Sequence, residues 1–173
     1  MSAPQIQEAA IDTDLCVIGA GSGGLVVAAG AGQMGARGVL IERDRMGGDC
    51  LNYGCVPSKA LIAAAGRAQA MREAGRFGVA AVEPDIDFAA VMDHVQGVIA
   101  AIAPHDSVER FTGLGVRVIR ESARFLDANT VQAGATLIRA RRFVIATGSR
   151  APGPPIPGLA DTPYLTNETV FEN

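Results

Sequence analysis

The sequence predicts an α/β fold, a parallel sheet with helices and a small antiparallel β-meander. Three observations predict it. The apolar run Leu15-Cys16-Val17-Ile18 stops at a glycine-rich turn, which opens a helical segment and leads to a second apolar run at Gly38–Ile41. A β-turn-α-β unit of this kind pairs its two strands in parallel. Hydrophobic residues make up 49% of the 173, against a net charge of −3, so the chain can bury a core and lacks the charge of a disordered one. Finally, 21 glycines beside only 5% aromatics suit close packing of helices on a sheet, joined by short turns.

The elements follow in order. Residues 1–12 read as a flexible tail, and residues 13–150 as one domain-sized segment. Residues 25–34 have helical period, and Gly30 and Gly32 inside them cost about 1 kcal/mol each relative to Ala, which close packing on the sheet would explain. Residues 43–54 are polar and glycine-rich, hence loop. Pro57 suits a helix start, and residues 58–74 form an alanine-rich helix. A second long helical segment covers 86–111, where Pro104 should kink or split it. Val116–Ile119 reads as a strand. Residues 123–125, 130–132 and 136–138 are strand-like pieces of the meander, and 143–146 form another buried strand, stopped by Thr147-Gly148. Residues 151–158 are proline-rich, so 151–173 read as a linker.

Composition narrows the function. Fifteen Lys+Arg against 18 Asp+Glu leave no basic field for nucleic acid. No run approaches the roughly 18 apolar residues of a membrane span. The first residues carry acids and no basic region ahead of an apolar stretch, so no signal peptide is expected and the location expected is cytoplasmic. Three cysteines are too few for a secreted disulfide scaffold, and in a reducing compartment a close pair points to catalysis or metal binding.

The glycine turn Gly19-Ala20-Gly21-Ser22-Gly23-Gly24 matches G-x-G-x-x-G at Gly19, Gly21 and Gly24. Gly19 permits the tight turn out of the strand, Gly21 lets backbone approach a pyrophosphate, and Gly24 lets the helix pack closely. The helix N-terminus then offers N–H groups and a positive dipole to phosphates. Glu42 ends the next strand 18 positions beyond Gly24, where a ribose-binding acid is expected. A bare βα turn with a solvated Glu would give the same letters, but the strand–turn–helix–strand context favours a dinucleotide. The motif does not distinguish FAD from NAD.

Cys50-Leu51-Asn52-Tyr53-Gly54-Cys55-Val56-Pro57-Ser58-Lys59 is the most informative stretch. Four residues between the cysteines allow a disulfide if the backbone bends, and Gly54 helps it bend. Cys55 falls at the mouth of a helix, whose dipole should lower its thiol pKa. Lys59, the only lysine of the chain, lies four residues on and adds positive charge. Cys50 precedes the helix and should be the more accessible thiol. Two reduced, buried cysteines are the plain alternative. Zinc is a second alternative, but it needs about four ligands, and Cys16, His94 and His105 lack suitable spacing. Cys16, inside the first strand, reads as a small core residue.

With these residues together, Met46-Gly47-Gly48-Asp49-Cys50 through Lys59 resembles the active-site signature of the class I pyridine nucleotide–disulfide oxidoreductases, in their dihydrolipoamide dehydrogenase-like and mercuric reductase-like branch. The order of parts is similar too: G-x-G-x-x-G, an acid ending the second strand, G-G-x-C-x4-C, a meander, then Ala146-Thr147-Gly148. The resemblance implies a Rossmann-like FAD-binding domain. It implies that Gly19, Gly21, Gly24 and Gly48 line the pyrophosphate of FAD and that Glu42 binds the adenosine ribose. Ala123 would touch adenine through its backbone, and Ala146, Thr147 and Gly148 would form a second flavin fingerprint. Cys55 would face the isoalloxazine ring with Lys59 near flavin N5, and Cys50 would exchange with substrate. Asp49 departs from the threonine common at this place.

The resemblance further implies an FAD-dependent disulfide oxidoreductase passing electrons from NAD(P)H through FAD to the Cys50–Cys55 pair, and on to a small-molecule or protein disulfide or thiol. The complete enzyme would be a homodimer without membrane, nucleic-acid or metal partners. This chain would be its N-terminal FAD and redox-disulfide portion, incomplete for turnover, with 151–173 a linker toward a missing NAD(P)H-binding domain and with weak FAD affinity. The alternatives are a non-catalytic flavin-binding or interaction fragment and a plain NAD-binding domain with incidental cysteines. The C-x4-C-V-P-S-K context argues against the last.

Overall fold

In chain order the elements are β1 (Ile11–Ile18), α1 (Ser22–Gln33), β2 (Gly38–Ile41), α2 (Gly48–Asn52), α3 (Cys55–Arg72), α4 (Phe88–Ile102), α5 (Val108–Gly113), β3 (Val116–Ile119), β4 (Ala123–Asp127), β5 (Thr130–Ala133) and β6 (Thr136–Ile145). The structure, a computed structural model, describes residues 10–172. The described residues form two compact units. One takes the chain up to Gly48 and returns for Pro104–Ser149; the other takes Asp49–Ala103 and the chain from Arg150 onward.

The first unit is built on one sheet in the order β3-β2-β1-β6-β5-β4. β3, β2, β1 and β6 run parallel, whereas β5 and β4 run antiparallel as the meander. The alternation of β1 and β2 sorts side chains to two faces. Val17 and Leu40 pack with Leu25 and Ala28 of α1 and Phe111 of α5. Cys16, Val39 and Ile41 pack with Val131, Ala133 and Ile138 of the meander. Thr13 is buried, and its hydroxyl donates to the Arg37 carbonyl at 2.6 Å, which satisfies it. A Cβ on Gly32 would lie 2.6 Å from the Leu114 carbonyl oxygen, so close approach explains this glycine. Gly30 has nothing within 4 Å, and packing does not explain it.

Other expectations are corrected. The strand pieces at 136–138 and 143–146 are one strand, β6, antiparallel to β5 at its start and parallel to β1 along most of its length. The arginines between them do not break it. Arg139 and Arg141 point outward and pair with Asp12 and Asp14 (both 3.6 Å), while Ile138 and Ala140 point into the core. Its end is not buried, for Ile145 is 68% exposed. The segment 86–111, by contrast, splits at Pro104 as expected, into α4, a 3-10 turn at Ala103–Asp106, and α5.

The expected tail over 1–12 ends earlier, because Ile11 and Asp12 pair in β1 with Ile138 and Arg139; residues 1–9 lie outside the described residues. The expected linker over 151–173 is not a free connector through to its end. Phe171 is buried against Ala60 of α3 and Val95 of α4, and Gln96 Nε2 donates to its carbonyl at 2.8 Å. In the second unit this small cluster is joined by buried Leu51 and Pro57, and many apolar positions stay exposed, among them Ile62, Phe77 and Phe88. Among the described residues no helix is long and apolar enough to cross a membrane.

Candidate active site

The glycine turn follows from strand geometry. Gly19 leaves β1 with φ +105°, in the region that favours glycine. The Ala146 N–H donates to the Ile18 carbonyl at 2.8 Å, which lays the segment after β6 against the turn. A Cβ on Gly19 would sit 2.3 Å from the Ala146 carbonyl oxygen, and one on Gly24 would sit 1.8 Å from the Gly19 carbonyl oxygen. Neither position can hold a side chain. On the other flank the Gly47 N–H donates to the Ala20 carbonyl at 2.9 Å, and a Cβ on Gly48 would lie 2.7 Å from Gly21 Cα.

Gly21 itself is different. It has an ordinary φ of −78°, and a Cβ there would meet only Gly48 Cα, at 4.0 Å. The fold has room for a side chain at Gly21, yet the sequence leaves the room open. Gly21 is also the N-cap of α1, and no side chain caps this helix. The first N–H groups of α1 therefore lack an intrahelical or side-chain acceptor.

Glu42 reaches the turn, as its spacing predicts. Its Oε2 accepts from the Ala20 N–H at 2.6 Å and its Oε1 from the Asp44 N–H at 2.7 Å. Arg120 donates to the Asp44 carbonyl and closes the loop behind it. Gly19, Gly21, Gly24, Glu42, Gly48, Ala146 and Thr147 thus converge in the first unit, with Gly148 exposed beyond them at φ +69°. Ala123 sits at the start of β4, opposite Ala133 and against the cluster of Cys16 and Ile41. None of these contacts joins it to the turn.

The cysteine turn lies in the second unit. The expected loop over 43–54 contains the short helix α2, which carries Cys50 and is closed by the Tyr53 N–H on the Asp49 carbonyl at 2.8 Å. Helix α3 then starts at Cys55, two residues before Pro57, so Cys55 occupies the first position of an 18-residue helix. Lys59 is exposed one turn on. A Cβ on Gly54 would lie 2.8 Å from Asp49 Oδ2 and 3.0 Å from the Asp49 carbonyl oxygen, which is why the turn closes on a glycine.

All three cysteines are free thiols. The Cys55 side chain hydrogen-bonds the Cys50 thiol and, together with burial, holds that thiol above its ordinary value, while the Lys59 charge pulls the other way. The two thiols are therefore electrostatic neighbours across the turn. The expected order of accessibility is reversed: Cys55 is exposed and Cys50 half-buried. Cys50 is held within α2 beside buried Leu51, whereas Cys55 stands at a bare helix start. Burial pushes the Cys16 thiol up to about 12, in keeping with a core residue. Among the described residues no three His, Cys, Asp or Glu side chains cluster to hold a metal.

Asp49 has a partner that no sequence signal announced. Asn167 Nδ2 donates to Asp49 Oδ1 at 2.9 Å, across 118 residues of chain. Beside it Arg150 pairs with Glu168 at 3.0 and 3.3 Å, and the Thr166 N–H donates to Thr169 Oγ1 at 2.9 Å.

Residues 13–172 match the family model of pyridine nucleotide-disulphide oxidoreductases. A mercuric reductase of Streptomyces lividans is 34% identical over 92% of this chain, and a dihydrolipoyl dehydrogenase of Halobacterium salinarum is 36% identical over 92%. The chain spans 35% of the length of each of these relatives. Among solved structures, the copper(II) complex of the HOCl-induced flavoprotein disulfide reductase RclA from Escherichia coli matches 87% of this chain with a TM-score of 0.70 and 25% identity. That alignment covers 31% of the RclA chain. The family model covers nearly all of the described residues, and the chain belongs to the pyridine nucleotide-disulphide oxidoreductase family.

Proposed function

We propose that this chain is the FAD-binding and redox-disulfide portion of a disulfide oxidoreductase, in which electrons from a nicotinamide reach a thiol or disulfide substrate through Cys50 and Cys55. The observation that carries the reading is the placement of the two thiols across one tight turn, Cys50 in α2 and Cys55 at the first position of α3, where Cys55 acts on the Cys50 thiol. A buried, inert pair would resemble Cys16, and this pair does not.

The first unit fits FAD on its own geometry. The open space at Gly21, the uncapped start of α1 and the carboxylate of Glu42 against the turn are the features a dinucleotide needs. Gly19, Gly24 and Gly48 would hold the backbone close to the pyrophosphate, Glu42 would hold the ribose, and Ala146, Thr147 and Gly148 would flank it. FAD, when bound, supplies the two-electron chemistry that links a nicotinamide to a thiol pair.

The residues of the chain do the thiol work. Contact with Cys55 and burial hold the Cys50 thiol above its ordinary value, and Cys55 stands exposed at the first position of α3, one turn from Lys59. Cys50 gives its proton to solvent and, as the thiolate, attacks one sulfur of a substrate disulfide, releasing the first substrate thiolate. The Cys55 thiolate attacks Cys50 in the mixed disulfide, releases the second substrate thiolate and closes the Cys50–Cys55 bond. Two electrons pass to the substrate, and the pair is oxidised.

The test is a titration of FAD into the chain, followed by quenching of flavin fluorescence. We expect saturable binding of one FAD per chain, weak enough to be lost on dialysis. Gly21→Val should abolish it while leaving the far-ultraviolet circular dichroism unchanged. Undiminished binding by Gly21→Val would refute the assignment of the cradle.

A further inference from the structure

We propose that Asp49 and Asn167 are a positioning pair that sets the dithiol–disulfide equilibrium of the Cys50–Cys55 turn. The proposal rests on the reading of that turn as redox-active. Asp49 directly precedes Cys50, and its carboxylate works in two directions. Oδ1 accepts from Asn167 at 2.9 Å. Oδ2 packs over Gly54, the residue before Cys55, at 2.8 Å from the place a Cβ would take. The Asp49 carbonyl meanwhile accepts from the Tyr53 N–H at 2.8 Å. The carboxylate is thus held between Asn167 and the bend that brings the two sulfurs together.

Asn167 is itself fixed. On one side Thr166 and Thr169 close a turn around it, and on the other Glu168 is held by both nitrogens of the Arg150 fork. Four residues on, Phe171 is buried between α3 and α4 with Gln96 on its carbonyl. These contacts of its neighbours hold the backbone that carries Asn167, so the hydrogen bond braces the cysteine turn against an anchored segment.

An intramolecular disulfide forms in proportion to the effective concentration of one thiol at the other. A braced turn holds Cys50 and Cys55 face to face, and a released turn lets them part. Both Asp49 and Asn167 are exposed, so the brace carries an ordinary hydrogen-bond effect and its loss should lower the equilibrium constant about three- to tenfold. A tenfold change is a shift of about 30 mV toward easier reduction.

The experiment equilibrates the full chain with mixtures of reduced and oxidised glutathione, then traps thiols by alkylation and counts them by mass. The reaction is balanced: one dithiol and one glutathione disulfide give one protein disulfide and two glutathiones. We expect Asp49→Ala and Asn167→Ala each to lower the constant, and the double variant to lower it no further. Asp49→Asn, which keeps an oxygen acceptor for Asn167 and removes the charge, should keep the wild-type constant. Unreactive Cys16 and an unchanged circular dichroism spectrum show that each variant is folded. An unchanged constant in Asn167→Ala overturns the brace. A constant in Asp49→Asn that falls as far as in Asp49→Ala assigns the effect to charge and overturns it as well. If the wild-type chain forms no Cys50–Cys55 disulfide at any ratio, the redox reading fails and the brace with it, an outcome distinct from a disulfide that forms but ignores Asn167.

Discussion

Around the glycine turn the constraints are main chain against main chain. Gly24 presses on the Gly19 carbonyl, Gly19 on Ala146, and Gly48 on Gly21. Around the cysteine turn side chains join the main chain in setting the bend: the Asp49 carboxylate and carbonyl over Gly54, Asn167 on Asp49, and one thiol on the other. The first unit rests on two buried clusters that fill both faces of a sheet, the second on a small cluster of Ala60, Val95 and Phe171. The difference has a physical consequence. Backbone contacts at van der Waals limit do not relax, so they hold a rigid cradle and tolerate no substitution. Side-chain contacts yield more easily than backbone ones, so the cysteine turn should tolerate substitution better than the glycine turn.

The largest expected effect is at Gly24. Its Cβ would meet backbone that cannot yield, so Gly24→Ala should cost more than about 4 kcal/mol in urea unfolding. Gly21→Ala, with only a 4.0 Å contact, should stay within about 0.5 kcal/mol. Equal losses at the two glycines would break the comparison. Next come the two buried phenylalanines. Phe111→Ala, in the full core of the first unit, should cost about 4 kcal/mol. Phe171→Ala should cost less, about 3 kcal/mol, and act locally: limited proteolysis should then cut within residues 151–172 while Cys16 stays unreactive.

A smaller effect separates the thiols. Iodoacetamide at neutral pH should modify Cys55 first and Cys50 more slowly, because Cys50 is half-buried and its thiol is held up by Cys55. Cys16 should react only after unfolding. The smallest effect is at the surface. The Arg37 side chain and N–H bind Asp14 and hold its carboxyl below the ordinary range. A lowered carboxylate stabilises the fold above its unfolded pKa of about 3.9 and ceases to do so as pH falls through the folded value. The melting difference between wild type and Asp14→Asn should thus be small at pH 7, shrink with salt and vanish in acid.

What could be read from the sequence divides along the same line. The glycine turn, the reach of Glu42 and the bend at Gly54 were legible, because each is a local steric or spacing requirement written in neighbouring residues. The single strand β6 was hidden by Arg139, Arg141 and Arg142, whose outward direction depends on pairing with β1. Helix α2 was hidden because five residues are too few for periodicity. The contact of Asn167 with Asp49 and the burial of Phe171 join residues far apart in the chain, and no local pattern marks them. Accessibility failed for a related reason. Placing Cys50 before a helix said nothing of α2, which holds it half-buried.

The most direct test oxidises the folded chain with glutathione disulfide, alkylates what remains free, and digests with trypsin. Residues 46–59 lie between Arg45 and Lys59, so both cysteines fall in one peptide. The account predicts that this peptide is lighter by the two thiol hydrogens and resists alkylation, while the Cys16 peptide is alkylated only after unfolding. Recovery of 46–59 with Cys50 and Cys55 both alkylated, or each carrying glutathione, would contradict it.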